Sequence, residues 1–180
     1  NAGPKYVRNK ALSGPAETNY SLLRGCRDTN RESQMIEQLK KELEVDEGCV
    51  KKIYLDHLGY KSCAIGHLVK EGEPEWRLNV GDPISDERIA ELFAADIGWT
   101  MADCKQVFPE FDDLPREVKL IIANMMFNMG LTRFSGFKHF IAAVHNEAWE
   151  RAAAEMEDSR WNEQVPARSN RLIKRMEAVE

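Results

Sequence analysis

The chain has 180 residues, 43% of them hydrophobic, with a formal net charge of −5 and a pI near 5.5. That is enough for one domain or two small lobes around a sizeable core, and it argues against wholesale disorder. The acidic balance argues against nucleic acid as the main partner, and no run reaches the ~18–20 apolar residues of a membrane span.

No signal-peptide pattern and no initiator Met open the sequence, from which we expect a processed or trimmed chain. The four cysteines, Cys26, Cys49, Cys63 and Cys104, permit two disulfides in three connectivities. Free buried thiols fit the count equally well. None forms a CxxC pair, which weakens zinc and redox readings.

Residues 1–30 are punctuated by Gly, Pro, Ser and Asn and hold no helical period, so the sequence predicts a loosely structured arm that Cys26 could tie down. From Glu32 to Glu47 the period turns helical through Met35, Ile36, Leu39 and Leu43, with Asn30 as N-cap and Gly48 just past the end. Glu47 then sits at the negative end of the helix dipole, which disfavours its ionised form.

Val50 to Asp56 reads as a strand, His57-Leu58-Gly59 as a turn and Tyr60 to Ile65 as a second strand. A loop rich in Gly and Pro covers residues 70–83, with a third short strand expected around Trp76 to Val80. Ser85 caps the next helix, which runs to about Gln106. Between Asp82 and Asp113 nine acids face two bases, read as a solvated acidic face. Pro115 to Met129 is apolar nearly all round, hence a buried central helix closed by Gly130. Three further helices are expected over 134–145, 147–158 and 165–177. From Ser159 to Met176 five bases (Arg160, Arg168, Arg171, Lys174 and Arg175) face one acid, Glu163, a local basic cluster in an acidic chain.

The fold class is therefore α+β. We expect a small antiparallel-sheet lobe (about 46–90) and a larger helical lobe (about 97–180), joined by a long helix. Chemically, Glu47 before the hairpin, Asp56 at its turn and Ser62 after it place two carboxyl groups and a hydroxyl together. A carboxylic acid facing a carboxylate is the minimum apparatus for breaking a glycosidic bond. A zinc reading would need Asp56, His57, His67 and Cys63 to converge, and their spacing matches no known ligand pattern.

Asp46-Glu47-Gly48, Lys52-Ile53-Tyr54 with Asp56, Gly59-Tyr60 and Ile65-Gly66-His67-Leu68 resemble the active-site stretch of phage-type lysozymes, glycoside hydrolase family 24. Ile84-Ser85 through Asp96, Asn124 to Gly130 with Gly136-Phe137, and Ser159-Arg160-Trp161 with Gln164, Pro166, Arg168 and Arg171 resemble later family segments in the same order. The likeness spans roughly residues 36–176 and omits the arm; it implies one lysozyme-like domain over 31–180, in which the first helix joins the helical lobe and the active-site cleft lies between the lobes.

The resemblance implies hydrolysis, with inversion, of the β-1,4 bond between N-acetylmuramic acid and N-acetylglucosamine in bacterial peptidoglycan. It places Glu47 as general acid, Asp56 as the carboxylate that directs water, and Ser62 as a water-holding hydroxyl where the family usually has Thr. It implies that Arg168 pairs with Glu47, Arg171 pairs with Asp46, and His67 pairs with Asp96. Leu68 and Phe127 fall on cleft positions that touch sugar, while positions near Phe140 and Glu155 depart from the family pattern. No cofactor is implied, and the expected state is a monomer.

The acidic chain also departs from the strongly basic phage enzyme of the family it resembles, so attraction to an anionic wall would need a local patch such as 160–175, or high salt. The loop from Leu68 to Ile84 is shorter. The cysteines and arm suggest an enzyme that works outside the cell in an oxidising setting, hence secreted and disulfide-bonded, and the resemblance implies that it is antimicrobial and bacteriolytic. Two other expectations stand beside this one: a silent wall-binding or interaction module on the same fold, and a delivered toxin or effector whose arm serves secretion or binds a partner.

Overall fold

The computed structural model describes the backbone of residues 15–56 and 58–180 and the side chains of residues 30–56 and 58–180. Residues 35–180 form one compact body. Helix α1 (Pro15–Glu47) starts at Pro15 rather than near Glu32, so Asn30 lies within it and does not cap it. Proline suits a helix start, and Gly25 costs only about 1 kcal/mol relative to Ala, too little to halt a 33-residue helix. The expected arm is thus helical from Pro15 onward. Its first fourteen residues and the side chain of Cys26 lie outside the described residues. Gly48 ends α1 with φ +72°, its N–H returning to the Glu44 carbonyl at 3.1 Å.

Strands β1 (Val50–Leu55), β2 (Lys61–Ala64) and β3 (His67–Leu68) form an antiparallel sheet in that order. Tyr54 pairs with Ser62 and Ser62 with Leu68, which sets these three side chains on one face. The third strand is therefore β3, not the expected Trp76–Val80. Pro74 opens a short 3-10 turn over Pro74–Arg77, and the chain returns to β1 only at 81–84. Proline fixes φ near the helical value and lacks a ladder donor, so it favours the turn over a strand.

Helix α2 (Asp86–Val107) begins where Ser85 Oγ accepts from the Arg88 N–H at 3.2 Å. It connects two buried clusters. Ile89 and Leu92 pack with Ile53, Cys63, Val69 and Ile84 under the sheet. Phe93, Ile97, Met101 and Cys104 join the larger cluster, which also holds Met35, Leu39 and Leu43 of α1. The first helix thus packs into the helical core although it precedes the sheet.

Helix α3 (Arg116–Phe134) supplies the centre of that core, and its helical dihedrals break at Gly130, φ +72°. Helices α4 (Lys138–His145), α5 (Trp149–Glu157), α6 (Arg160–Gln164) and α7 (Pro166–Glu177) complete the lobe. The short α6 exceeds expectation: Ser159 Oγ accepts from the Asn162 N–H at 3.1 Å and nucleates it.

Cys49, Cys63 and Cys104 are free thiols. The disulfide expectation therefore finds no support among the described cysteines. Burial pushes the Cys63 thiol up to about 11 and the Cys104 thiol up to about 12.

Candidate functional site

The site is built from the last turn of α1. Asp46 and Glu47 end that helix, and Arg168 and Arg171 stand three residues apart on α7, hence on one face. Arg171 grips Asp46 with two parallel bonds, Nη1 to Oδ1 at 2.9 Å and Nη2 to Oδ2 at 2.6 Å. Asn124 Nδ2 donates to Asp46 Oδ2 at 3.0 Å, and Arg168 Nε lies 3.4 Å from the same oxygen. Burial pushes the Asp46 carboxyl up. The bonds from Arg171 and Asn124 and the charges of both arginines outweigh it, so Asp46 lies below the usual carboxylate range.

Arg168 is almost wholly buried and turns Nη2 to Glu47 Oε1 at 2.9 Å. Asn128 Nδ2 reaches the same oxygen at 3.3 Å. Behind it, Trp161 Nε1 donates to Asn128 Oδ1 at 2.9 Å. Gly66 faces the other oxygen: a Cβ there would stand 3.6 Å from Glu47 Oε2. Glu47 is 22% exposed, so it is both anchored and open to solvent.

Asp56 closes the hairpin turn. Its Oδ1 accepts from the N–H groups of Leu58 at 2.9 Å and Tyr60 at 2.8 Å. Those bonds lock the carboxylate by one oxygen, and Gly59 takes the φ of +85° that the turn needs because it has no Cβ. Tyr54 lies within electrostatic reach of both carboxylates. Burial raises its hydroxyl pKa, and the charges of Glu47, Cys63 and Asp56 raise it further. Ser62 is buried opposite Tyr54. Leu68 is exposed on the same sheet face, while Phe127 is half-buried with its ring centroid 6.1 Å from that of Phe93.

His67 is buried between two acids, with Nδ1 2.8 Å from Asp96 Oδ2 and Nε2 3.1 Å from Glu73 Oε2. Both ring nitrogens are engaged, which removes it as a metal ligand. Among the described residues no group of three or more His, Cys, Asp or Glu side chains could hold a metal ion. His57 lies outside the described residues. The loop from Leu68 to Ile84 is pinned twice, by Glu73 to His67 at 3.1 Å and by Glu75 to Arg88 at 2.7 Å.

A pocket of about 970 Å³ opens beside Asn128 and Trp161, lined also by Arg133, Phe140, Glu155 and Arg160. Phe140 and Glu155, near which the sequence is expected to depart from the family pattern, both line it. The expected basic patch over 160–175 is not a free field. Arg168 and Arg171 face Asp46 and Glu47, and Arg175 binds Glu42 at 2.7 Å and Glu117.

Sequence reasoning missed Asn124, Asn128 and Glu73. The two asparagines did leave a signal: polar residues four apart inside an apolar helix share a face and need partners.

Residues 44–178 match the family model described as phage lysozyme. The chain belongs to that family and is a glycoside hydrolase. It is 30% identical over 158 residues to "Probable T4-type lysozyme 2" of Dictyostelium discoideum, covering 77% of this chain and 93% of that one. It is 28% identical over 163 residues to "Pre-baseplate central spike protein Gp5" of Enterobacteria phage T4, covering 81% of this chain and 28% of the spike protein. It is 27% identical over 174 residues to "Peptidoglycan hydrolase gp36" of Pseudomonas phage phiKMV, covering 97% of this chain and 18% of that hydrolase. None of the helices among the described residues is long and apolar enough to cross a membrane.

Proposed function

We propose that this chain hydrolyses the β-1,4 bond between N-acetylmuramic acid and N-acetylglucosamine in bacterial peptidoglycan, with inversion at the anomeric carbon. The observation that carries the reading is the matched anchoring of two carboxyl groups. Glu47 is held through Oε1 and Asp56 through Oδ1, each leaving its second oxygen without a hydrogen bond among the described residues. Glu47 donates its proton to the leaving oxygen as the C1–O bond breaks and the bond pair moves to that oxygen. Asp56 draws a proton from a water that attacks C1 from the opposite face, and Ser62 holds that water. The glycan would lie against Leu68 and Phe127. Asp46, Arg168 and Arg171 hold the end of α1, and His67 with Asp96 holds the sheet against α2. No cofactor enters this chemistry.

We further propose that the enzyme is secreted, acts on walls outside the cell that makes it, lyses bacteria and works as a monomer. The free thiols leave secretion resting on the substrate alone. The test is clearing of a purified wall suspension by wild type and Glu47→Gln, with the anomer of the first product followed by NMR. Clearing lost in Glu47→Gln, with an inverted first product, is the expected result. Equal clearing by both proteins refutes the role of Glu47, and a retained product refutes that of Asp56. A folded wild type that binds walls and never clears them would mark a binding module instead.

A further inference from the structure

We propose that Asn128, clamped by Trp161, is a positioning residue that reserves one oxygen of Glu47 for hydrogen bonding and leaves the other to carry the acid proton. The inference rests on the reading of Glu47 as general acid and goes beyond it by assigning the proton to one atom. Trp161 is 5% exposed and sits in the main core, so its indole is fixed by packing. An indole N–H can only donate. Its 2.9 Å bond to Asn128 therefore fixes which end of the amide faces it: the carbonyl end, Oδ1. The NH₂ end has to point the other way, and it points at Glu47 Oε1, 3.3 Å away.

Arg168 Nη2 already donates to that same oxygen at 2.9 Å. Two N–H donors converge on Oε1, and a proton placed there would face both. Among the described residues no hydrogen bond reaches Oε2. Its neighbour is Gly66, where even a Cβ would stand 3.6 Å from it, so the glycine leaves space for a sugar oxygen to approach. The acid proton therefore resides on Oε2. Arg168 alone could not hold this division, because one donor on Oε1 leaves the carboxyl free to rotate and exchange its oxygens. The second donor, oriented from behind by Trp161, sets the plane of the group.

The relay has a spectroscopic signature that a merely structural role would not give. Hydrogen bonds in series polarise one another, so the charge on Glu47 is felt at the Trp161 indole through Asn128. The experiment follows the ¹⁵N–¹H indole signal of Trp161 against pH in the full chain, beside wall-clearing rates and half-saturating wall concentration. In wild type the indole signal moves as Glu47 ionises, and Glu47→Gln abolishes that movement. Asn128→Ala abolishes it too. It slows clearing about tenfold, the loss of one hydrogen bond to a charged group, with half-saturation unchanged within about twofold.

Asn128→Gln keeps both ends of the amide and restores the movement and most of the rate. Asn128→Asp keeps the shape of the side chain but replaces the donor by an acceptor, so it slows clearing more than Asn128→Ala. It also decides the matter should the alanine variant not fold. Indole movement that persists in Asn128→Ala, or wild-type clearing by Asn128→Asp, overturns the proposal. A wild type that clears walls without any indole movement sinks this proposal alone. A wild type whose relay is intact but which clears nothing sinks the acid role of Glu47 and the proposal with it.

Discussion

Removing one proton from His67 should destabilise the fold by a predictable amount. The ring is 4% exposed and donates toward Asp96 from Nδ1 and toward Glu73 from Nε2. Only the doubly protonated imidazolium can donate in both directions, since the neutral ring keeps a single N–H. Burial lowers the His67 pKa, but the bonds and charges of Asp96 and Glu73 outweigh it and the net direction is up. A raised folded-state pKa means the stabilisation is fully present below the unfolded value of about 6.5 and is lost as pH rises through the folded value. Deprotonation strips one carboxylate of a charge-assisted bond, about 1.5–3 kcal/mol for a buried partner. The acids are themselves 20% and 26% exposed, so the lower end, about 1.5 kcal/mol, is the better figure. At about 2–4 °C per kcal/mol for a chain of this length, Tm should fall by roughly 3–6 °C. Thermal unfolding followed by circular dichroism from pH 5.5 to 9, for wild type, Glu73→Gln and His67→Gln, measures it. Glu73→Gln should shrink the fall, and His67→Gln should flatten it while lowering Tm at pH 5.5. A His67→Gln protein that loses as much Tm over this range as wild type refutes the reasoning.

Gly66→Ala places a Cβ at φ +68° and 3.6 Å from Glu47 Oε2. It should cost about 1–2 kcal/mol in chemical denaturation and slow clearing out of proportion to that loss. Thiol labelling of the native protein at pH 8 should modify Cys49, which is exposed, and spare Cys63 and Cys104, whose thiols lie near 11 and 12; peptide mapping identifies the modified positions. Arg171→Met removes the two-bond grip on an Asp46 that is 4% exposed. Leaving a buried carboxylate with Asn124 and Arg168 alone should cost about 3 kcal/mol, read from urea unfolding at neutral pH.

The elements with strong periodicity were legible in the sequence. The helical period through Met35, Leu39 and Leu43, the apolar run from Val118 to Met126 and the hairpin around Gly59 all lie where burial places them. Glu47 and Asp56 were also locatable, because one ends a helix and the other closes a turn. The misses have physical causes. A proline start and one glycine do not stop a helix, so α1 runs back to Pro15. Pro74 turned an expected strand into a 3-10 turn. The pairing of Arg168 with Glu47 spans 121 positions, and no local pattern reports a contact at that range. It was expected from family likeness alone. Asn128 and Glu73 belong to the same class, since their partners are set by tertiary packing.

The charge of the molecule leads to a last prediction. A basic cluster in an acidic chain invites the reading of a wall-binding patch, but three of its five members are occupied. Arg168, Arg171 and Arg175 are engaged by Asp46, Glu47, Glu42 and Glu117. Arg160 and Lys174 are exposed, as are Arg133 and Lys138 near the pocket, yet with these four counted the chain still carries a net charge of −5. An anionic wall should therefore repel the enzyme at low ionic strength. The screening length falls from about 30 Å at 0.01 M salt to about 10 Å at 0.1 M, so clearing should accelerate across that range. Walls stripped of anionic polymer should show a much flatter response. Clearing of anionic walls that instead slows steadily from the lowest salt upward would mean that a local basic field dominates the encounter.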